Sequence, residues 1–113
     1  MKKIEAIIRP GKFQTLRDRL SSIGIGGLTV TEAAGTGKQK GQTGVFRGTT
    51  FQVQLLPKVK VEIVADEHQL DEIIDLIIES CSTGDIGDGK IFISPIEQTI
   101  RIRTGERGEN AVI

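Results

Sequence analysis

The sequence predicts an α+β domain: a doubled β-α-β unit giving a four-stranded antiparallel sheet with two helices on one face. Three observations lead there. Two segments with alternating apolar residues open on Lys3-Ile4-Glu5 and Lys60-Val61-Glu62, 57 positions apart. A helical stripe follows each, and at the same offset Phe13 meets Leu70, Leu16 meets Ile73 and Leu20 meets Ile77. The apolar positions therefore stay in phase through strand and helix alike, which is the pattern of a repeated strand–helix unit.

The elements follow in order. Lys3 to Arg9 reads as a strand, with Ile4, Ala6 and Ile8 facing one way and Lys3, Glu5, Ile7 and Arg9 the other. Pro10 and Gly11 break it. Phe13, Leu16, Leu20 and Ile23 mark one face of a short helix, which Gly24, Gly26 and Gly27 end. Leu28 to Ala34, rich in Thr and Val, is a second strand. Gly35 to Leu56 is different: five glycines, the charges Lys38, Lys40 and Arg47, no acid, and no helical stripe. It reads as a long protruding loop with strand-like edges near Thr49 to Leu55. Loops beyond ~12–15 residues in a compact domain are usually functional or disordered, and a ligand that orders the loop reconciles the two.

Pro57 is expected to close that loop. Val59, Val61 and Ile63 form the inward face of a third strand. Asp66 stands where a helix cap would stand, with Gln69 three residues on. Leu70, Ile73, Ile74, Ile77 and Ile78 then make the clearest helical stripe in the chain, with Asp71, Glu72, Asp75 and Glu79 around the other side. Cys81 is expected just beyond this helix as a buried thiol, since no second cysteine or nearby histidine activates it. Ile91 to Ile93 is a fourth strand and Ile100 to Arg103 a short fifth. Ile7 and Val64 would lie on the sheet face that the helices leave open. Covering by another copy in a closed homo-oligomer is the simplest solution, with dimer and trimer both open.

Composition narrows the function classes. The 113 residues suit one domain with a thin core. Fifteen basic and fifteen acidic residues balance, so the basic excess that nucleic-acid binding needs is missing. Cys81 is the only cysteine, which excludes an intrachain disulfide and fits a cytoplasmic setting. No signal-peptide pattern opens the chain, and no apolar run approaches the ~20 residues that span a bilayer. Membrane association is expected only through a protein partner.

The chemistry concentrates in three places. Thr83-Gly84-Asp85-Ile86-Gly87-Asp88-Gly89-Lys90 permits tight turns and close backbone approach, and its N–H groups can form a nest for phosphate, with Lys90 adding charge. A plain glycine-rich turn is the alternative. Arg101 and Arg103 would share one face of an extended segment, with Ile100 and Ile102 facing the core. Two like charges held together call for an anion, and paired guanidinium donors suit phosphate; ion pairing with Glu62 or Glu97 is the alternative. Gly35 to Gly41 is a second glycine-rich region. Gln39 there offers an amide oxygen of the kind Mg²⁺ takes, and Lys58 at the far end of the loop offers charge to a small dicarboxylate. Lys3 and Arg9 read as solvated or rim charges. His68, the sole histidine, reads as solvated or capping; no zinc set and no Ser–His–acid set can be placed. Asp85 and Asp88 are weak candidates for orienting water or metal, so catalysis has little support.

Together these stretches resemble the PII nitrogen-regulatory signal-transduction family over nearly the whole chain. The resemblance is carried by Lys3-Ile4-Glu5-Ala6-Ile7-Ile8-Arg9-Pro10, Thr29-Val30-Thr31-Glu32, Gln39-Lys40-Gly41-Gln42-Thr43 and Leu56-Pro57-Lys58-Val59-Lys60-Val61-Glu62. It is most specific in Ile86-Gly87-Asp88-Gly89-Lys90-Ile91-Phe92-Ile93-Ser94-Pro95 and Ile100-Arg101-Ile102-Arg103-Thr104-Gly105-Glu106. It implies a ferredoxin-like domain over residues 1–113, a homotrimer, and three inter-subunit clefts where ATP and ADP compete.

By that resemblance the nucleotide set is Thr29, Gly35, Gly37, Lys38, Glu62, Val64, Gly87, Asp88, Gly89 and Lys90, with Arg101 and Arg103 reaching in from the next subunit. Gln39 becomes the Mg²⁺ ligand. 2-Oxoglutarate falls to Gln39, Lys40, Gly41 and Lys58. Residues 37–55 become a mobile signalling loop whose Arg47 enters a partner, an ammonium transporter or an enzyme of nitrogen assimilation. Departures from the family pattern are Phe51 and Phe46 where tyrosine is common, Gly44 where an acid is usual, and Thr36 in place of an aromatic. Phe51 has no hydroxyl to uridylylate. Two other readings remain: a PII-derived sensor of adenine nucleotide alone with a different partner, and a weak ATP-hydrolysing enzyme.

Overall fold

The computed structural model describes residues 1–36 and 55–112. Of the expected loop at 37–55, only Leu55 falls among them, beside the start of the third strand and largely exposed.

Strand β1 is Lys2–Ile8, β2 is Thr29–Gly35, β3 is Leu56–Ala65 and β4 is Lys90–Pro95; helix α1 is Phe13–Ser22 and α2 is Leu70–Cys81. They form one sheet in the order β2-β3-β1-β4, antiparallel throughout. Each β-α-β unit therefore skips a strand. The first leaves β3 between its strands, and the second leaves β1 between its own. This interleaving is the ferredoxin-like arrangement.

The duplication runs deeper than the apolar stripes. A 3-10 turn, Pro10–Lys12, leads into α1, and its counterpart Glu67–Gln69 leads into α2 at the same offset. The core is made of matched pairs: Ile4 and Val61, Ala6 and Ile63, Ile8 and Ala65, Leu16 and Ile73, Leu20 and Ile77, all at 2% exposure or less. These residues line the sheet face that carries the helices. Cys81 joins them as the last residue of α2, not beyond it, and burial pushes its thiol up from the ordinary range.

The central strands pair about a point between Glu5 and Glu62, which stand opposite each other on the open face. Like charges in that position repel. Lys3 answers with its ammonium 2.8 Å from Glu62, and Lys60 lies 3.5 Å from Glu5 and 3.6 Å from Glu62. The bond from Lys3 pulls the Glu62 carboxyl below its usual range and raises the Lys3 ammonium.

Three expectations are corrected. Pro57 does not close a loop; it lies inside β3, opposite Ala34. Among the described residues β1 pairs with β3 only as far as Val59, so Pro57 has its one strand neighbour in β2, and a missing N–H is tolerated at such an edge. Asp66 does not cap through its side chain. The backbone closes that turn, with Gln69 N–H donating to the Asp66 carbonyl at 3.0 Å. Ile100 to Arg103 is not a strand. Ile100 bridges Arg107, and Ile102 to Thr104 turn the chain back, with Gly105 at φ 73° donating to the Arg101 carbonyl. Ile102 is fully exposed and Ile100 half-exposed, so neither faces the core of its own chain. The edge strands likewise leave Val30, Phe92 and Ile93 half-exposed. No helix among the described residues is long and apolar enough to cross a membrane.

Candidate functional site

The segment from Thr83 to Gly89 is a built loop, not a slack turn. The Asp88 carboxylate turns back into it. It accepts the N–H of Thr83 at 2.8 Å, the N–H of Gly84 at 2.9 Å and the Thr83 hydroxyl, and it meets the Arg9 guanidinium at 3.2 Å. Arg9 also donates to the Ile86 carbonyl at 3.0 Å, and the Lys58 ammonium donates to the Gly87 carbonyl at 2.8 Å. In a planar trans peptide the C=O and the following N–H point opposite ways. Pinning the carbonyls of 86 and 87 on two cations thus turns the N–H groups of Gly87 and Asp88 the other way.

Glycine is required on both sides of Asp88. Gly87 and Gly89 have φ of 106° and 101°. At Gly89 an added Cβ would lie 1.7 Å from the Ile7 carbonyl oxygen, because the loop runs flush against β1.

Strand register gathers the rest. With Val61 and Ile63 in the core, Lys58, Lys60, Glu62 and Val64 take the open face of β3. Thr29 stands opposite Glu62 and Ala33 opposite Lys58, so Thr29 and Gly35 share that face on β2. Lys90 stands opposite Ile7 and shares it on β4. Thr29, Gly35, Lys58, Glu62, Val64 and Lys90 thus lie on one surface, which the loop overhangs at one end. Gly35 leaves room for the Lys58 stem, whose Cγ would be 3.3 Å from a Cβ there.

The arginines start from the opposite end. Ile96 N–H donates to the Met1 carbonyl and the Thr99 hydroxyl reaches Met1 Sδ, so the hairpin carrying Arg101 and Arg103 is anchored where β1 begins. Gly89 is anchored at Ile7, about 20 Å along the strand. Among the described residues Arg101 pairs with Glu106 at 3.0 Å, and Arg103 stands exposed in the turn. Gly37, Lys38, Gln39, Lys40, Gly41 and Arg47 lie outside the described residues. Among the described residues no group of His, Cys, Asp and Glu could hold a metal ion.

The family model "Nitrogen regulatory protein P-II" matches residues 1–106. The chain belongs to the PII family. Curated relatives of that name from Nostoc punctiforme and Pasteurella multocida are 56% and 54% identical over 112 residues, which is 99% of this chain and the full length of each relative. A crystal structure of Arabidopsis thaliana PII bound to citrate matches with a TM-score of 0.79 and 42% identity, covering 98% of this chain and 88% of the other. This PII chain is accordingly a signalling protein of nitrogen and energy status rather than an enzyme, and PII proteins work as oligomers on protein partners.

Sequence reasoning missed two anchors of this loop. Arg9 is not a rim charge but the anchor of the loop. Thr83 is its second anchor. The signal for Thr83 was local: an aspartate set between glycines, four and five residues after a Thr-Gly pair, suits side-chain closure of a loop. Arg9 gave none, being 79 positions from Asp88.

The Asp88 site carries a pH signature. The Thr83 hydroxyl first, then the Thr83 and Gly84 amides and Arg9, hold its carboxyl well below the usual range, against the cost of desolvation. Its folded value is depressed, so its stabilisation is present above the unfolded carboxylate range and lost as pH falls. The stability difference between the unaltered protein and Asp88→Asn should be constant above about pH 5 and shrink below about pH 4. Urea titrations across that range measure it.

Proposed function

We propose that this PII protein binds ATP and ADP competitively in clefts between three copies of the chain. The loop Gly87–Lys90 takes the phosphates, Arg101 and Arg103 reach them from a neighbouring copy, and Thr29, Gly35, Glu62 and Val64 border the adenosine. The observation that carries this is the loop itself: two carbonyls pinned to Arg9 and Lys58, the two following N–H groups turned away from those cations, and Lys90 next in the chain. Such a nest accepts phosphate oxygens. The exposed hairpin of Ile100 and Ile102, with arginines far from their own loop, supports a donor from another copy. Asp88 belongs to this site through the loop that it holds.

Gln39, next to Gly37 and Lys38, would hold Mg²⁺ beside the phosphates, and with Lys40, Gly41 and Lys58 would take 2-oxoglutarate. Lys58 fits that carboxylate, since its ammonium keeps two donors after bonding Gly87. The ion would supply charge neutralisation between phosphate and keto acid. The segment 37–55 then signals to an ammonium transporter or a nitrogen-assimilation enzyme in the cytoplasm, with Arg47 as the partner contact. Ligands act this way only by binding its states with different affinity.

Calorimetric titration with ATP, with ADP, and with ATP plus Mg²⁺ plus 2-oxoglutarate tests this. Heat of binding is expected in all three, with ADP blocking ATP. Arg103→Ala should weaken nucleotide binding by about 1–3 kcal/mol, the worth of a charged hydrogen bond. Nucleotide binding without any keto-acid effect would leave a sensor of adenine nucleotide alone. No nucleotide binding would end the proposal.

A further inference from the structure

A carboxylate at the centre of a phosphate site looks misplaced, because like charges repel. The geometry explains it. Asp88 lies between two glycines of positive φ, and its side chain points back into the loop, where it meets four donors from Thr83, Gly84 and Arg9. Nothing in that arrangement offers the carboxylate to an anion. What the carboxylate does is tie the first residue of the loop to the last but one, and both to the end of β1 through Arg9. Arg9 in turn holds the Ile86 carbonyl, and Lys58 the Gly87 carbonyl.

We infer that Asp88 is a positioning residue: with Thr83 and Arg9 it fixes the peptide planes of the loop, so that the N–H groups of Gly87 and Asp88 are held pointing away from Arg9 and Lys58 before any ligand arrives. The inference rests on the nucleotide reading above for the identity of the ligand, though not for the latch. A loop held in its binding geometry spares the ordering cost that a free glycine-rich loop would meet on binding. The benefit falls on the phosphates that ATP and ADP share, so both nucleotides should depend on Asp88 by a similar factor. A direct contact to the γ-phosphate or to its Mg²⁺ would instead separate them.

Asp88→Asn keeps the shape and removes the charge, placing an NH₂ against N–H donors. Two measurements are needed. In the ligand-free protein, amide hydrogen exchange read by NMR should quicken at Thr83 and Gly84 while β1 and β3 stay protected. In calorimetry, ATP and ADP should both bind about 10- to 100-fold more weakly, the scale on which partners that only orient a ligand usually act. Thr83→Val should reproduce both effects in part, and Thr83→Ser, which restores the hydroxyl, should reverse them. If Asp88→Asn loses sheet protection as well, the Thr83 pair carries the test alone. Unchanged exchange at Thr83 and Gly84 would overturn the latch. So would nucleotide binding as tight as in the unaltered protein, or weakening confined to ATP. An unaltered protein that binds no nucleotide would sink the nucleotide reading instead, and the exchange data would still decide the latch.

Discussion

Alanine at position 89 is expected to destabilise the protein by about 3–5 kcal/mol, combining left-handed backbone strain with a clash against backbone. The Cβ would sit 1.7 Å from the Ile7 oxygen and 2.8 Å from its carbonyl carbon, and both belong to a central strand that cannot give way. Gly84 supplies the control. Its φ is also positive, at 86°, but nothing lies within 4 Å of a Cβ there. Gly84→Ala should cost only the strain of the conformation, about 1–2 kcal/mol. Chemical denaturation of the two variants separates space from conformation. Equal losses would mean that the loop at Gly89 does not run flush against β1.

The second large effect lies in the core. Leu16→Ala and Ile73→Ala should each cost about 2–5 kcal/mol, the range for emptying a fully buried aliphatic site. Both side chains have 0% exposure, and each is the other's counterpart in the duplication. The two losses should be of similar size, because each residue holds its helix against the same sheet face. A small loss at one site and a large loss at the other would show that the halves do not share the core evenly.

Much of this frame was readable because the fold is written twice. A weak alternation in one segment gains force when it recurs in phase 57 residues later, and buried Leu16 and Leu20 in the first half pointed to Ile73 and Ile77 in the second, although Ile8 and Ala65 went unmatched. What stayed hidden was non-local or too short. The contact of Arg9 with Asp88 spans 79 positions. The bond of Lys58 to the Gly87 carbonyl joins two residues that looked like ligands of different molecules. Ile100 to Arg103 alternates like a strand, but four residues cannot fix an extended conformation against a Thr104-Gly105 turn that follows at once. Pro57 breaks most strands, and only the sheet order shows why this one tolerates it. In the candidate site, glycine content singled out the loop, while the bonds that close it come from side chains, Arg9 among them, that sequence alone reads as solvated.

A crystal structure of the protein grown with ADP would test most directly whether an anion is held between copies. Its terminal phosphate should lie about 3 Å from the amides of Gly87 and Asp88 in one copy and from the Arg103 guanidinium of another, with the base toward Thr29, Glu62 and Val64. Nucleotide bound elsewhere, or held by one copy with every Arg101 and Arg103 remote from it, would contradict that arrangement.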